Sequence, residues 1–500
     1  MTSARPGPPG VPRSAGALGR RVRSGVRWSL LSSLGAALSQ IPQTIVMSRL
    51  LTPRDFGVMA VGLVMLRFVS YFAQGGLSSA LIQRPSIDRE DVRAAVALAL
   101  LASAVGYGVF FALAPLGTLV LHDDEIVGVS RVLALAFVIA ALGSVSTALL
   151  RRELRLGTLG GIELAGQVVG SWGVGVTLAL AGAGVWSLVG SALAQGAITA
   201  GASYAAVRHD VRPLWDGARI RAFASFGSMV SLTGFLEFLA GNIDLLVAGR
   251  RFGAAGLGQY SRAWTLASLP MEHLSNAGSK ALFPAFSQLQ HDPERLRTAF
   301  LDSVAIITAA LGATVTVIMV VATPAVPLLL GAQWSAAAHV LPVVAAASAV
   351  ALLSHLPAVL AAALGRLRRK LGIQLVGVAL LGLGFAATAG AGGLTVIALV
   401  VLLDQVVIHL LYLRLVTTVF AGAARELLRV YAEVAALCLV VAAAGLTADR
   451  LLADSAAAVS LAVQLAVMAA AALALAASLC GRSHVLRAAA RRGLLRPRRA

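Results

Sequence analysis

Apolar stretches of about 20 residues, the length that crosses a bilayer, follow one another from Trp28 to the C-terminal region with only short polar breaks. The runs fall at 26–48, 57–83, 92–121, 126–150, 158–182, 184–207, 222–249, 257–283, 298–330, 335–364, 371–390, 392–418, 427–447 and 455–480. Of the 500 residues 58% are hydrophobic and 13% charged, against about 25% charged in a soluble domain, and no soluble domain fits between the runs. In lipid every backbone polar group must be paired within its own segment. The Gly- and Ala-rich runs suit close helix packing better than a barrel. The expected fold class is therefore an all-α polytopic membrane protein of about 14 transmembrane helices.

The net charge of +19 is informative through its distribution. Cations gather in every second break: Arg84, Arg89 and Arg93; Arg151, Arg152 and Arg155; Arg208, Arg212, Arg219 and Arg221; Arg295 and Arg297; Arg366, Arg368, Arg369 and Lys370; Arg425 and Arg429. The intervening breaks carry almost none, and the one at 122–125 reads HDDE. The positive-inside rule then places both basic termini in the cytoplasm, so the lipid bilayer accounts for the charge and no nucleic-acid partner is required. The first run matches the later ones in length and is expected to be a retained anchor rather than a cleaved signal. Cys438 and Cys480 fall inside separate runs, which suits neither a disulfide framework nor a metal site.

A polar corner at 46–58, VMSRLLTPRDFGV, interrupts the first two runs. Shifted by 201 residues it lies over VAGRRFGAAGLGQ at 247–259, pairing Arg49 with Arg250 and Gly57 with Gly258. The same shift sets the first run over the seventh and the second over the eighth. Two parallel six-helix repeats plus two C-terminal helices are expected: a basic tail at 1–25, a first bundle at 26–207, an inter-bundle linker at 208–221, a second bundle at 222–418, two further helices at 419–480 and a basic tail at 481–500. Within the corner, Thr52 is placed to cap the next helix, with Pro53 at its first position and Asp55 in its first turn.

The stretches SRLLTPRDFGVMAVGLVMLRFVSYFAQGGLSSALIQRP at 48–85, NIDLLVAGRRFGAAGLGQYSRAWTLASLP at 242–270, ALFPAFSQLQHDPERLR at 281–297 and LLLGAQW at 328–334 carry a resemblance. The chain resembles the polysaccharide-exporter branch, the Wzx-type flippases, of the multidrug/oligosaccharidyl-lipid/polysaccharide (MOP) superfamily, over roughly residues 25–420. The resemblance implies a MATE-like fold and movement of polyprenyl-diphosphate-linked oligosaccharide repeat units from the inner to the outer leaflet of a bacterial cytoplasmic membrane. It also implies alternating access and service to surface polysaccharide synthesis such as that of lipopolysaccharide. A polysaccharide polymerase and glycosyltransferases are the protein partners it implies.

Such a task needs a wet polar cavity, because each sugar hydroxyl costs several kcal/mol to desolvate without a partner and a diphosphate costs more. Ser29, Ser33, Ala36, Gln40 and Gln43 share one face of the first helix. Ionisable side chains within spans are the sharper signal, each costing about 2.5–3.5 kcal/mol at a helix centre. Arg67 and Gln74 on the second span, and Glu163 and Gln167 on the fifth, are candidate cavity residues together with Gln40 and Gln43. Arg67 either contacts phosphate or sugar, or pairs with Glu237 or Glu163. Glu237, Asp244 and Asp404 are candidates for ion coupling, with structural pairing to Arg250 or Arg67 as the alternative for the first two. Arg49 and Arg250, at the outer corners, either cap helix ends or meet the departing diphosphate.

Enzymatic readings fare poorly. The histidines are scattered without metal-ligand spacing and no Walker-type glycine loop precedes a Lys-Ser/Thr pair, so no cofactor is expected and a proton or sodium gradient is the remaining energy source. A drug/cation antiporter and a peptidoglycan-precursor flippase of the same superfamily are the alternatives. An antiporter has no use for cavity arginines, whereas diphosphate handling does.

Overall fold

The computed structural model describes residues 38–73, 86–217, 241–390, 392–420, 422–452 and 457–478, together with 35, 81, 82, 84, 219, 238, 239 and 455. Among the described residues the secondary structure is helical throughout, without a strand. In chain order the helices are α1 (38–50), α2 (Pro53–Ala73), α3 (Arg89–Leu121), α4 (Glu125–Arg152), α5 (156–180), α6 (Val185–Val207), α7 (Ile243–Gln288), α8 (Pro293–Leu330), α9 (Ser335–Ala363), α10 (Leu367–Ala387), α11 (Leu394–Thr417), α12 (Ala423–Leu451) and α13 (Ala457–Ser478). Eight of them are long and apolar enough to cross a membrane on length and hydropathy alone. Leu142, Leu383, Leu403, Leu410 and Leu439 each stand more than half exposed on these helices, an arrangement that water penalises and lipid accepts.

Helix starts follow their local chemistry. Thr52 and Asp55 make a reciprocal cap: the Thr52 backbone N–H and hydroxyl donate to Asp55 Oδ2 at 2.8 and 2.7 Å, and the Asp55 N–H donates to Thr52 Oγ1 at 3.3 Å. Pro53 then opens α2, as the sequence predicts. Asp88 caps α3 in a capping box with Asp91, and Asp292 caps α8 ahead of Pro293. One expected break is shorter than a loop. Within the second corner the two helical arms of α7 meet at a kink at Gly253 (φ 64°, ψ −169°), a conformation that only glycine adopts without strain.

The chain divides into two compact units, one of Met1–Asn242 with Gly249–Gly258, the other of Ile243–Ala248 with Gln259–Ala500. In the first unit small residues set the helix spacing. Gly143 of α4 faces Ala200 of α6, and Gly166, Gly170 and Gly175 of α5 face Thr199, Gln195 and Ser191 of α6 so closely that a Cβ at Gly170 would stand 2.8 Å from the Gln195 backbone nitrogen. This is the small-xxx-small packing by which membrane helices approach in the absence of a hydrophobic driving force. Within this contact residues Val169–Val176 of α5 are π-helical, a local widening that often accompanies function.

In the second unit the core is heavier. Phe286, Phe300, Leu356, Leu360, Val416, Phe420 and Leu427 form one buried cluster, with Phe300 ring centroids 6.1 Å from Phe286 and 6.0 Å from Phe420. Helix α12 lies on α8 where Gly312 admits Val434 and Cys438, and α13 lies on α12 where Gly445 admits Met468. The two C-terminal helices are thus packed elements of the second unit.

Candidate functional site

Three polar constellations stand out, each within one unit. The first is the pair of corners. The second corner, 249–258, belongs to the first unit and packs on the first corner in a reciprocal manner: a Cβ at Gly57 would overlap the Ala254 carbonyl, reaching within 2.6 Å of its carbon, and a Cβ at Gly258 would do the same to Pro53 at the same distance. Pro53 and Ala254, like Gly57 and Gly258, are equivalent positions of the repeat, so each glycine accommodates the backbone of the other copy's helix start. Charges flank the contact. Arg54 pairs with Asp123 at 2.7 Å and Glu125 at 2.8 Å, and its guanidinium pKa is raised, chiefly by the Asp123 hydrogen bond. Arg250 meets the His122 imidazole. Arg49 is exposed at the end of α1.

The second constellation lies at the arginine-rich ends. Arg219 reaches Asp88, Glu90, Asp91 and Asp216 at 3.1, 2.8, 2.8 and 3.4 Å. The Asp91 backbone N–H first, and then the Arg219 guanidinium, hold the Asp88 carboxyl below its ordinary pKa. Leu214 N–H donates to the Arg93 carbonyl, Arg93 Nε donates to the Arg212 carbonyl, and Arg89 lies 3.6 Å from Asp210. The segment after α6 is therefore laced to the start of α3. Individually such exposed pairs contribute little; their value lies in their number on one short segment.

The third is a cavity of about 710 Å³ in the first unit, walled by α4, α5 and α6. Glu163 and Gln167 line it, with Ser144, Thr147, Gln195 and Thr199 as the other polar groups. Glu163 pairs with Arg151 at 3.7 Å, not with Arg67, because both Glu163 and Arg151 stand near the shared arginine-rich end of α4 and α5. Arg67 is exposed on α2, and Gln40 and Gln43 are half-buried on α1. Ser39, beside Gln40, accepts a hydrogen bond from Trp172 Nε1 at 3.1 Å. Gln74 and Glu237 lie outside the described residues.

In the second unit the buried acids have specific surroundings. Asp244 is 4% exposed and takes the Tyr260 hydroxyl at 2.8 Å, a partner other than the Arg250 or Arg67 that the sequence offered as the alternative to ion coupling. Asp404 accepts from Gln405 Nε2 at 3.0 Å through Oδ2, while its buried Oδ1 has no hydrogen-bond partner among the described residues. One turn along α11 and beyond, His409 is flanked by Ser354 Oγ at 3.2 Å and the Tyr431 hydroxyl at 3.0 Å. Sequence reasoning missed Tyr260, Ser354 and Tyr431 as partners, since nothing local links positions so far apart. It also missed Gln195 and Thr199, although Ser191, Gln195 and Thr199 recur at the helical step of four.

The architecture is that of a polytopic helical membrane protein. It is similar to a lipid II flippase, MurJ, in an inward closed conformation (TM-score 0.66, 11% identity, 90% of this chain and 99% of that one) and to a multidrug resistance MATE family transporter in an inward-facing conformation (TM-score 0.57, 17% identity, 77% and 95%). Within that class the chain belongs to the polysaccharide biosynthesis protein family, whose pattern matches residues 46–339. It is 30% identical over 329 residues to the succinoglycan biosynthesis transport protein ExoT of Rhizobium meliloti, covering 64% of this chain and 65% of that one. It is 25% identical to the lipopolysaccharide biosynthesis protein WzxC of Escherichia coli, with 64% and 65% covered, and 22% identical to the teichuronic acid biosynthesis protein TuaB of Bacillus subtilis, with 65% and 68% covered. The match spans about 65% of the length of the first two relatives.

Proposed function

We propose that this protein flips polyprenyl-diphosphate-linked oligosaccharide repeat units from the inner to the outer leaflet of a bacterial cytoplasmic membrane, by alternating access, for the synthesis of a surface polysaccharide. The observation that carries the reading is a polar cavity lined by Glu163 and Gln167 among membrane-spanning helices in a member of the polysaccharide biosynthesis family. The arginine-rich helix ends and both termini face the cytoplasm, in keeping with the charge distribution. The chain acts as a transporter and not as an enzyme, beside the polymerase and glycosyltransferases that use and make its cargo.

In this reading Arg67, exposed in the middle of α2, meets the diphosphate, for which a delocalised, permanently charged guanidinium is well suited. Gln40, Gln43, Gln74, Glu163 and Gln167 offer the sugar hydroxyls donors and acceptors in exchange for water. Glu237, Asp244 and Asp404 serve a coupling proton or sodium ion. The unmatched buried oxygen of Asp404 supports this last role, since a buried carboxylate oxygen without a donor is costly unless a proton or cation visits it. Arg49 and Arg250 guide the diphosphate at the corners.

The test is a sidedness assay in proteoliposomes, with a labelled polyprenyl-diphosphate oligosaccharide loaded on one leaflet and its access to an impermeant reagent followed. Protein-dependent exposure, abolished by Arg67→Ala and made gradient-independent by Asp404→Asn, is expected. No exposure under either a proton or a sodium gradient would refute the reading and favour export of small cations.

A further inference from the structure

The cavity of the first unit has a chemistry of its own. Among the described residues its polar side chains, Ser144, Thr147, Glu163, Gln167, Gln195 and Thr199, are amides, hydroxyls and one carboxylate, and no described arginine or lysine lines it. Arg151 is drawn to Glu163 at 3.7 Å. A volume of about 710 Å³ lies within the range of about 300–1,000 Å³ typical of ligand sites. With a rise of 1.5 Å per residue, the polar groups sit roughly 7–18 Å from the arginine-rich ends of α4, α5 and α6. Gln195 and Thr199, both half-buried on α6, have no hydrogen-bond partner among the described residues and retain their donors and acceptors. The backbone behind them is fixed by the close approach of Gly166 and Gly170, and the π-helical segment of α5 begins two residues after Gln167.

We propose that this cavity is a subsite for uncharged sugar residues of the cargo, in which Gln195 and Thr199 bind hydroxyls and Glu163 discriminates against acidic sugars. The inference rests on the flippase reading and assigns to this site the sugar part of the head group and not its diphosphate. Neutral hydroxyls match amide and hydroxyl walls in kind, whereas a diphosphate or a uronate would meet the Glu163 carboxylate, a like charge that the half-exposed Arg151 at 3.7 Å offsets only in part. Repulsion of that kind is how a site rejects a wrong ligand while binding the right one.

The experiment uses the full-length protein in detergent and two soluble probes, maltotriose and trigalacturonic acid, with binding followed by saturation-transfer NMR. Maltotriose is expected to bind. Gln195→Leu and Thr199→Val should each weaken it about 3- to 10-fold, the effect of losing a hydrogen bond to a neutral partner, while Gln195→Asn and Thr199→Ser hold most of the affinity. Trigalacturonic acid should bind about tenfold more weakly than maltotriose, and Glu163→Gln should narrow that gap. Equal binding of the two probes by the unaltered protein, or maltotriose binding indifferent to both α6 substitutions in protein of unchanged thermal stability, overturns the proposal. If the α6 variants do not fold, the comparison of the two probes on the unaltered protein decides it. Maltotriose binding that depends on Gln195, in a protein that flips no lipid-linked oligosaccharide in proteoliposomes, would retire the flippase reading and leave the sugar site standing.

Discussion

Replacing Gly57 by alanine tests the reciprocal packing of the two corners. A Cβ there would overlap the Ala254 carbonyl oxygen and come within 2.6 Å of its carbon, and both are backbone atoms at a helix start, so no side chain can swing aside and the backbones must part. Overpacking of this kind costs about 1–3 kcal/mol, partly offset by the roughly 0.5–1 kcal/mol that alanine gains over glycine within a helix. A net loss of about 1–2 kcal/mol is expected. Gly258→Ala, facing Pro53 at the same 2.6 Å, should cost a similar amount. Because one spacing serves both contacts, parting the corners to admit the first methyl makes room for the second, and the double variant should lose clearly less than the sum. Gly161→Ala, on α5 with nothing within 4 Å of the place its methyl would take, is the control and should be neutral or slightly stabilising. Thermal unfolding of the purified full chain by tryptophan fluorescence reads this out, at about 2–4 °C per kcal/mol for a cooperative unit of 150–250 residues. Gly57→Ala melting with the unaltered protein, or a strictly additive double variant, would refute the reciprocal contact.

Further outcomes follow from the other constellations. Tyr260→Phe leaves Asp244 Oδ2 buried without its donor and should cost about 1–3 kcal/mol, read as a lowered melting temperature that Asp244→Asn does not worsen further. The Asp88 carboxyl is held below its ordinary pKa, so its contribution to anchoring the segment after α6 is full above about pH 4 and lost as pH falls through the depressed value. Amide hydrogen exchange at 208–217, corrected for intrinsic rates, should therefore rise below about pH 4, and Arg219→Ala should raise it at neutral pH. Tyr431→Phe removes the hydroxyl 3.0 Å from His409 Nε2 and is expected to cost about 1–2 kcal/mol in melting experiments; an unchanged melt would show that His409 finds another partner.

Much of the architecture was legible because a membrane span is a local property. Transfer of about 20 residues into hydrocarbon is decided by those residues alone, so the run at 392–418 becomes the helix Leu394–Thr417 and the run at 184–207 becomes Val185–Val207. Caps are local too, and Thr52, Pro53 and Asp55 play the parts that their spacing assigns. The second corner was legible as a polar break but not as a single-residue kink at Gly253, since hydropathy registers the break without its backbone dihedral angles. The π-helical stretch of α5 left no trace in periodicity over so few residues.

The sequence by itself determined that this chain spans a membrane many times, with its cations gathered in alternate breaks, because hydropathy and charge bias are both written in neighbouring residues. Only the tertiary structure decided which polar groups meet: Glu163 with Arg151, Asp244 with Tyr260, His409 with Ser354 and Tyr431, and Gln195 and Thr199 with Glu163 around one cavity. Partner choice depends on how closely helices approach, and that approach is set by glycines such as Gly143, Gly166 and Gly170 acting on residues far away in the chain. A buried polar group must be satisfied, but the rule does not say by whom until the helices are packed.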